Sequence, residues 1–120
     1  MQYALLIYTN EVEYQRRTAN VEKETLAEYM QLIQDLKASG QLRAVERLES
    51  VSTATTVRVK DGKVLKTDGP FAETREQFGG FYLVEAKDLD EAIGFAARIP
   101  GARLGCVEVR PVWSMNNPAT

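Results

Sequence analysis

The sequence predicts a single α+β domain: a two-layer sandwich of ferredoxin-like βαββαβ order with a β-hairpin inserted. Three observations carry that expectation. Segments of strand character alternate with two amphipathic stretches of helical period, in the order strand, helix, strand, hairpin, strand, helix, strand. A chain of 120 residues with 44% hydrophobic side chains has the material for one core without disulfides or metal. The first strand is apolar on both alternating faces, so both faces need a cover. Helices on one side leave the other side open, and a second copy of the chain is its simplest cover. A homodimer is therefore expected.

Residues 2–8 form that first strand, with Tyr3, Leu5 and Ile7 alternating with Ala4, Leu6 and Tyr8. Residues 9–19 are polar, carry Arg16-Arg17 and show no sustained period, which reads as a loop with room for one helical turn. From Asn20 the three-and-four spacing of Leu26, Tyr29, Met30, Ile33, Leu36 and Lys37 predicts an amphipathic helix, capped by Asn20 and ended by a left-handed Gly40. Residues 42–48 alternate loosely as a second strand, with Arg43, Val45 and Arg47 on one face. Adjacent Glu46 and Arg47 face opposite sides, so they cannot both line one pocket without a bulge.

Residues 53–60 and 63–67 make a hairpin around Asp61-Gly62, whose chemistry suits a type I′ turn. Asp68-Gly69-Pro70 then breaks the chain, residues 73–77 read as a polar loop, and residues 80–85 resume strand character. Gly79-Gly80 fits a bulge, a tight strand start or a close backbone approach to a ligand. Asp88 with Glu91 starts a second helix as a capping box, with Leu89, Ala92, Ile93, Ala96 and Ala97 on one face and Pro100-Gly101 ending it. Residues 105–112 are the last strand. One domain spans 1–113, and 114–120 form a tail.

Composition narrows the chemistry. Fifteen Lys and Arg against seventeen Asp and Glu give a net charge of −2, which disfavours a charge-driven nucleic-acid binder. With no histidine and a single cysteine, Cys106, histidine triads, histidine zinc sites and thiolate cages are excluded; no metal or cofactor is expected. The lone cysteine, the absence of a basic-flanked signal segment and the lack of a long apolar run lead to the expectation of a soluble cytoplasmic protein without membrane contact.

The run Thr67-Asp68-Gly69-Pro70-Phe71-Ala72-Glu73-Thr74-Arg75-Glu76-Gln77-Phe78-Gly79-Gly80-Phe81-Tyr82 closely resembles the signature of the DGPF proteins, a branch of the YCII-related superfamily. The likeness continues through the opening strand, Thr55-Thr56-Val57-Arg58-Val59, Asp88-Leu89-Asp90-Glu91-Ala92 and Val107-Glu108-Val109-Arg110-Pro111. The resemblance implies a dimeric α+β barrel in a bacterial protein, and a gene-neighbourhood link to extracytoplasmic-function sigma factors. It implies no single reaction. Related YCII proteins are thought to use a His-Asp pair with the histidine on the first helix. Here Tyr29 stands at about that place, and a phenol is a poor base at neutral pH.

Asp68 is the leading catalytic candidate, as a carboxylate desolvated beside Phe71 that acts as general acid or base; equally, Asp-Gly-Pro is ordinary turn chemistry. Tyr8, Tyr29, Arg58, Phe71 and Tyr82 are the candidate ligand contacts. The tyrosines can also be plain core, and Arg58 can simply face outward. Cys106 has no histidine to activate it and is not expected to be a nucleophile. Three functions compete: a small organic ligand held in a cleft between sheet and helix, an acid-base enzyme using Asp68, and an accessory partner of a sigma factor.

Overall fold

The computed structural model describes residues 1–17 and 19–114. Its main sheet has the order β2-β5-β1-β6, in which β1 (Gln2–Thr9) pairs antiparallel with β5 (Gln77–Glu85) and β6 (Cys106–Pro111), and β2 (Leu42–Arg47) pairs with the outer side of β5. This is the expected ferredoxin-like arrangement. Helices α2 (Ala19–Ala38) and α3 (Leu89–Arg98) pack on one face of the sheet, where Leu32, Leu36, Ala92, Ala96 and Ile99 meet Tyr3, Leu5, Ile7, Tyr82 and Val84 in one core.

The α2 core stripe is rotated from the expected one. Thr25, Leu32 and Leu36 are buried and Tyr29 and Ile33 half-buried, whereas Leu26 is 60% exposed and Met30 also faces out. Helical spacing accommodates either set, because apolar side chains occur on both flanks of the stripe. The helix begins at Ala19, so Asn20 lies inside it, not ahead of it as a cap; the Asn20 side chain is outside the described residues. Gly40 takes the expected left-handed conformation, at φ 74°.

Residues 9–19 contain a short helix α1 (Glu11–Gln15), capped where the Asn10 side chain accepts from the Glu13 amide. Asp88 caps α3 through the Glu91 amide at 2.9 Å, as its spacing predicts. Pro100-Gly101 does more than end α3: it opens a further one-turn helix α4 (Gly101–Leu104). Strand β5 starts three residues ahead of the expected Gly80, because Phe78 and Gln77 pair with Tyr8 and Thr9 beyond a bulge at Gly79. Of the expected C-terminal tail, residues 115–120 lie outside the described residues.

Strands β3 (Thr55–Lys60) and β4 (Lys63–Asp68) pair only with each other, around Asp61 and Gly62 at φ 52° and 75°. They form an arm separate from the main sheet. Val57, Val59, Val64 and Leu65 on it are exposed. The arm explains a radius of gyration of 16.5 Å, against about 14 Å for a compact chain of this length. On the sheet face away from the helices, Ala4, Leu6, Tyr8, Phe81 and Leu83 remain half-exposed. No helix among the described residues is long and apolar enough to cross a membrane.

Candidate functional site

The predicted site residues fall in three places. Tyr29 and Tyr82 come together on the helix side of the sheet, with ring centroids 6.5 Å apart and nearly parallel planes. Tyr8 projects from the opposite face, where it packs on Phe78 at 5.5 Å and borders a shallow depression with Thr74, Glu76, Cys106, Glu108 and Arg110. Asp68 and Arg58 belong to the exposed arm, and Phe71 in the following loop is 80% exposed. The five expected ligand contacts and Asp68 therefore do not line one pocket.

Asp68 accepts no hydrogen bond from a described residue. The turn after it is held by other atoms: the Gly69 amide donates to Ala54 O at 2.7 Å, the Thr56 hydroxyl donates to Gly69 O at 2.8 Å, and Gly69 takes φ 96°. The end of this loop is pinned to α1, where Asn10 Nδ2 donates to Arg75 O and Gln77 Oε1 accepts from the Glu11 amide.

Around Tyr29 and Tyr82 the structure gathers residues that sequence reasoning passed over. Arg17 lies over the Tyr14 ring, its guanidinium carbon 5.4 Å from the centroid, and Arg47 lies near the same ring at 5.8 Å. Arg17 Nη2 donates to the buried Thr25 hydroxyl at 3.0 Å, and Thr25 sits one turn before Tyr29 on α2. This fixes Arg17 beside Tyr29. Arg47 reaches the same side because Val45, two residues earlier, pairs with Tyr82, so both point toward the helices while Glu46 faces away beside Phe81. The alternation of the second strand already contained that signal, whereas the placement of Arg17 and Tyr14 depends on α1.

Burial makes the two phenols weak acids. Burial, and next the neighbouring Tyr14, raise the Tyr29 pKa, opposed by a backbone hydrogen bond from Gly101 and by Arg47 and Arg17. Burial and then Tyr29 push Tyr82 up as well. Both are neutral hydroxyls at physiological pH and serve as donors, not bases. A Cβ on Gly101 would lie 2.6 Å from Ile7 Cγ2 and 3.3 Å from the Tyr29 hydroxyl, so glycine keeps that hydroxyl in place. Among the described residues, Arg17 Nη1 and the Tyr82 hydroxyl, on a side chain only 1% exposed, are buried without a hydrogen-bond partner.

Cys106 stands apart from this cluster, on β6 beside Glu76. Desolvation, slight at this exposed side chain, and the Glu76 and Glu108 charges raise its thiol pKa and keep it from ionising easily. Among the described residues no group of three or more carboxylates or cysteines could hold a metal ion.

Comparison with known proteins adds two findings. Residues 1–116 match the YCII-related domain. The chain is also similar to an uncharacterized protein of Rhizobium meliloti (strain 1021), with 35% identity over 114 residues that cover 93% of this chain and 92% of that one.

Proposed function

The chain belongs to the YCII-related family, and from that premise we propose that it acts as a cytoplasmic homodimer holding a small organic ligand in the cleft between sheet and helix, beside Tyr29 and Tyr82. The observation that carries this reading is the pair of buried polar atoms without partners among the described residues, Arg17 Nη1 and the Tyr82 hydroxyl, both on side chains that neighbour Tyr29. Folded proteins satisfy nearly all such groups, and an unsatisfied one costs about 1–3 kcal/mol. A ligand's polar atoms repay that cost on binding. Tyr29, Tyr82, Arg17 and Arg47 are all donors at neutral pH, which favours binding over acid-base turnover.

The homodimer reading is supported by shape and by the open sheet face. The molecule is a slab 19 Å thick and about 47 Å across, two layers deep, with Leu6, Phe81 and Leu83 adjacent on the uncovered side. The lone cysteine, which no disulfide requires, agrees with a reducing cytoplasm.

Titration of isotope-labelled protein with a panel of small neutral and anionic fragments, followed by amide NMR, tests the cleft. Binding fragments should shift Tyr29, Tyr82, Gly101 and Arg47 together. Shifts confined to the Tyr8 and Cys106 side, or to the Asp68 arm, would remove this reading.

A further inference from the structure

We propose that the cleft is selective for the carboxylate of a small organic acid, gripped between Arg17 and Arg47 with the Tyr82 hydroxyl as a further donor. This rests on the cleft being the ligand site at all. Two guanidinium groups approach one Tyr14 ring at 5.4 and 5.8 Å, and neither forms an ion pair among the described residues, whereas Arg43, Arg98, Arg103 and Arg110 each do. Two unpaired cations held at one ring make a site of positive potential that an anion would fill.

The neighbouring carboxylate is already committed. Glu11, on the same short helix as Tyr14, accepts from Ser50 Oγ and from the Val51 amide, both at 3.0 Å. Those bonds anchor the chain just after Arg47 to the helix that carries Tyr14. Glu11 thus holds the two arginine-bearing segments together without neutralising either arginine.

The remaining donors suit one planar anion. Arg17 spends Nη2 on Thr25 and keeps Nη1 buried and unpaired, while Arg47 is exposed and able to close from the solvent side. A guanidinium fork matches the two oxygens of a carboxylate. Tyr82, buried with no partner among the described residues, can donate to the same group, and Tyr29, stacked on it, offers its ring and its own proton. No lysine takes part in this cluster of contacts, and the two phenols are neutral, so the donor set suits a single negative charge better than a phosphate dianion.

The test is isothermal titration of the full chain with acetate, benzoate and cinnamate, each beside its primary amide, and with inorganic phosphate. At least one acid should bind roughly tenfold or more tightly than its amide, the value of one charge-assisted contact, and should weaken as salt is raised. Arg17→Gln and Arg47→Gln should each remove that preference, so that an acid binds no more tightly than its amide, and Tyr82→Phe should reduce it; circular dichroism checks that all three variants keep the fold. Equal binding of acids and amides, with shifts still at Tyr29, overturns the carboxylate assignment and leaves the cleft standing. Preference for phosphate, or acid selectivity that survives both arginine substitutions, also overturns it. Failure of every acid and amide to perturb Tyr29 or Tyr82 overturns the cleft and the assignment together.

Discussion

At the scale of single residues, adjacent glycines have opposite roles. A Cβ on Gly80 would fall 2.7 Å from the backbone oxygen of Glu46 on the paired strand, whereas nothing lies within 4 Å of one on Gly79. Gly80→Ala should destabilise by about 1–3 kcal/mol, as overpacking does, and Gly79→Ala by less than about 0.5 kcal/mol. Urea unfolding of both checks this, and equal costs would contradict the β2–β5 register. The turn after the arm separates in the same way. Because no described residue bonds the Asp68 carboxylate, Asp68→Asn and Asp68→Ala should both stay within about 0.5 kcal/mol of the parent, while Gly69→Ala, forced to φ 96°, should cost about 1 kcal/mol. Asp68-Gly69-Pro70 signalled a break in the chain, but composition does not reveal which of its atoms holds the bend. Cys106 yields a kinetic test. Slight desolvation and the Glu76 and Glu108 charges raise the pKa of this exposed thiol, so it should react slowly with iodoacetamide at pH 8, and Glu76→Gln should accelerate the reaction by lowering that pKa.

At the scale of elements, α2 shows where periodicity runs out. Six residues at three-and-four spacing defined its length and amphipathic character, yet Leu32, fully buried, was not among them and Leu26 is exposed. The stripe is chosen by what it meets, here Tyr82 and Ile99, and those partners come from distant parts of the chain. The same limit applied to the site. Tyr29 and Tyr82 were legible as aromatics on a helix and a strand, whereas Arg17 and Tyr14 depend on the course of residues 10–17, which have no period to read. Strand alternation, in contrast, placed Arg47 correctly with Val45. Packing of α2 on α3 is tied by Asp35 and Arg98. The Arg98 hydrogen bond, then that of Gln31, holds the Asp35 carboxyl below its usual range. A depressed carboxylate contributes stability above its unfolded-state pKa, ~3.9, and loses it as pH falls through the lower folded-state value. The parent should therefore exceed Asp35→Asn in stability at pH 6, with the gap closing toward pH 2. A gap that is constant with pH would mean that the carboxylate's charge contributes nothing; the effect is small because both side chains are exposed.

At the scale of the whole molecule, the two faces of β1 make the homodimer testable by neighbouring residues. Leu5 is fully buried under the helices and pairs with Tyr82 and Val109; Leu6 points to the open face and pairs with Phe81 and Glu108. A charge at Leu5 enters the core and should unfold the chain. A charge at Leu6 leaves that core untouched and meets only what covers the open face. The arm argues for the same cover: an isolated two-stranded hairpin is marginal in water, and this one exposes Val57, Val59 and Val64 together on one side. A second copy would shield both surfaces and remove two exposed apolar patches at once. Sedimentation at micromolar concentration should give twice the 13.4 kDa chain mass. Leu6→Glu should sediment as a folded monomer with unchanged circular dichroism, and Leu5→Glu should lose the folded signal altogether. A parent that sediments as a monomer, or a Leu6→Glu variant that remains dimeric, would place the interface elsewhere or abolish it. A parent dimer broken by Leu6→Glu alone identifies the open sheet face as the contact, because the two substitutions differ only in the direction in which neighbouring side chains leave one strand.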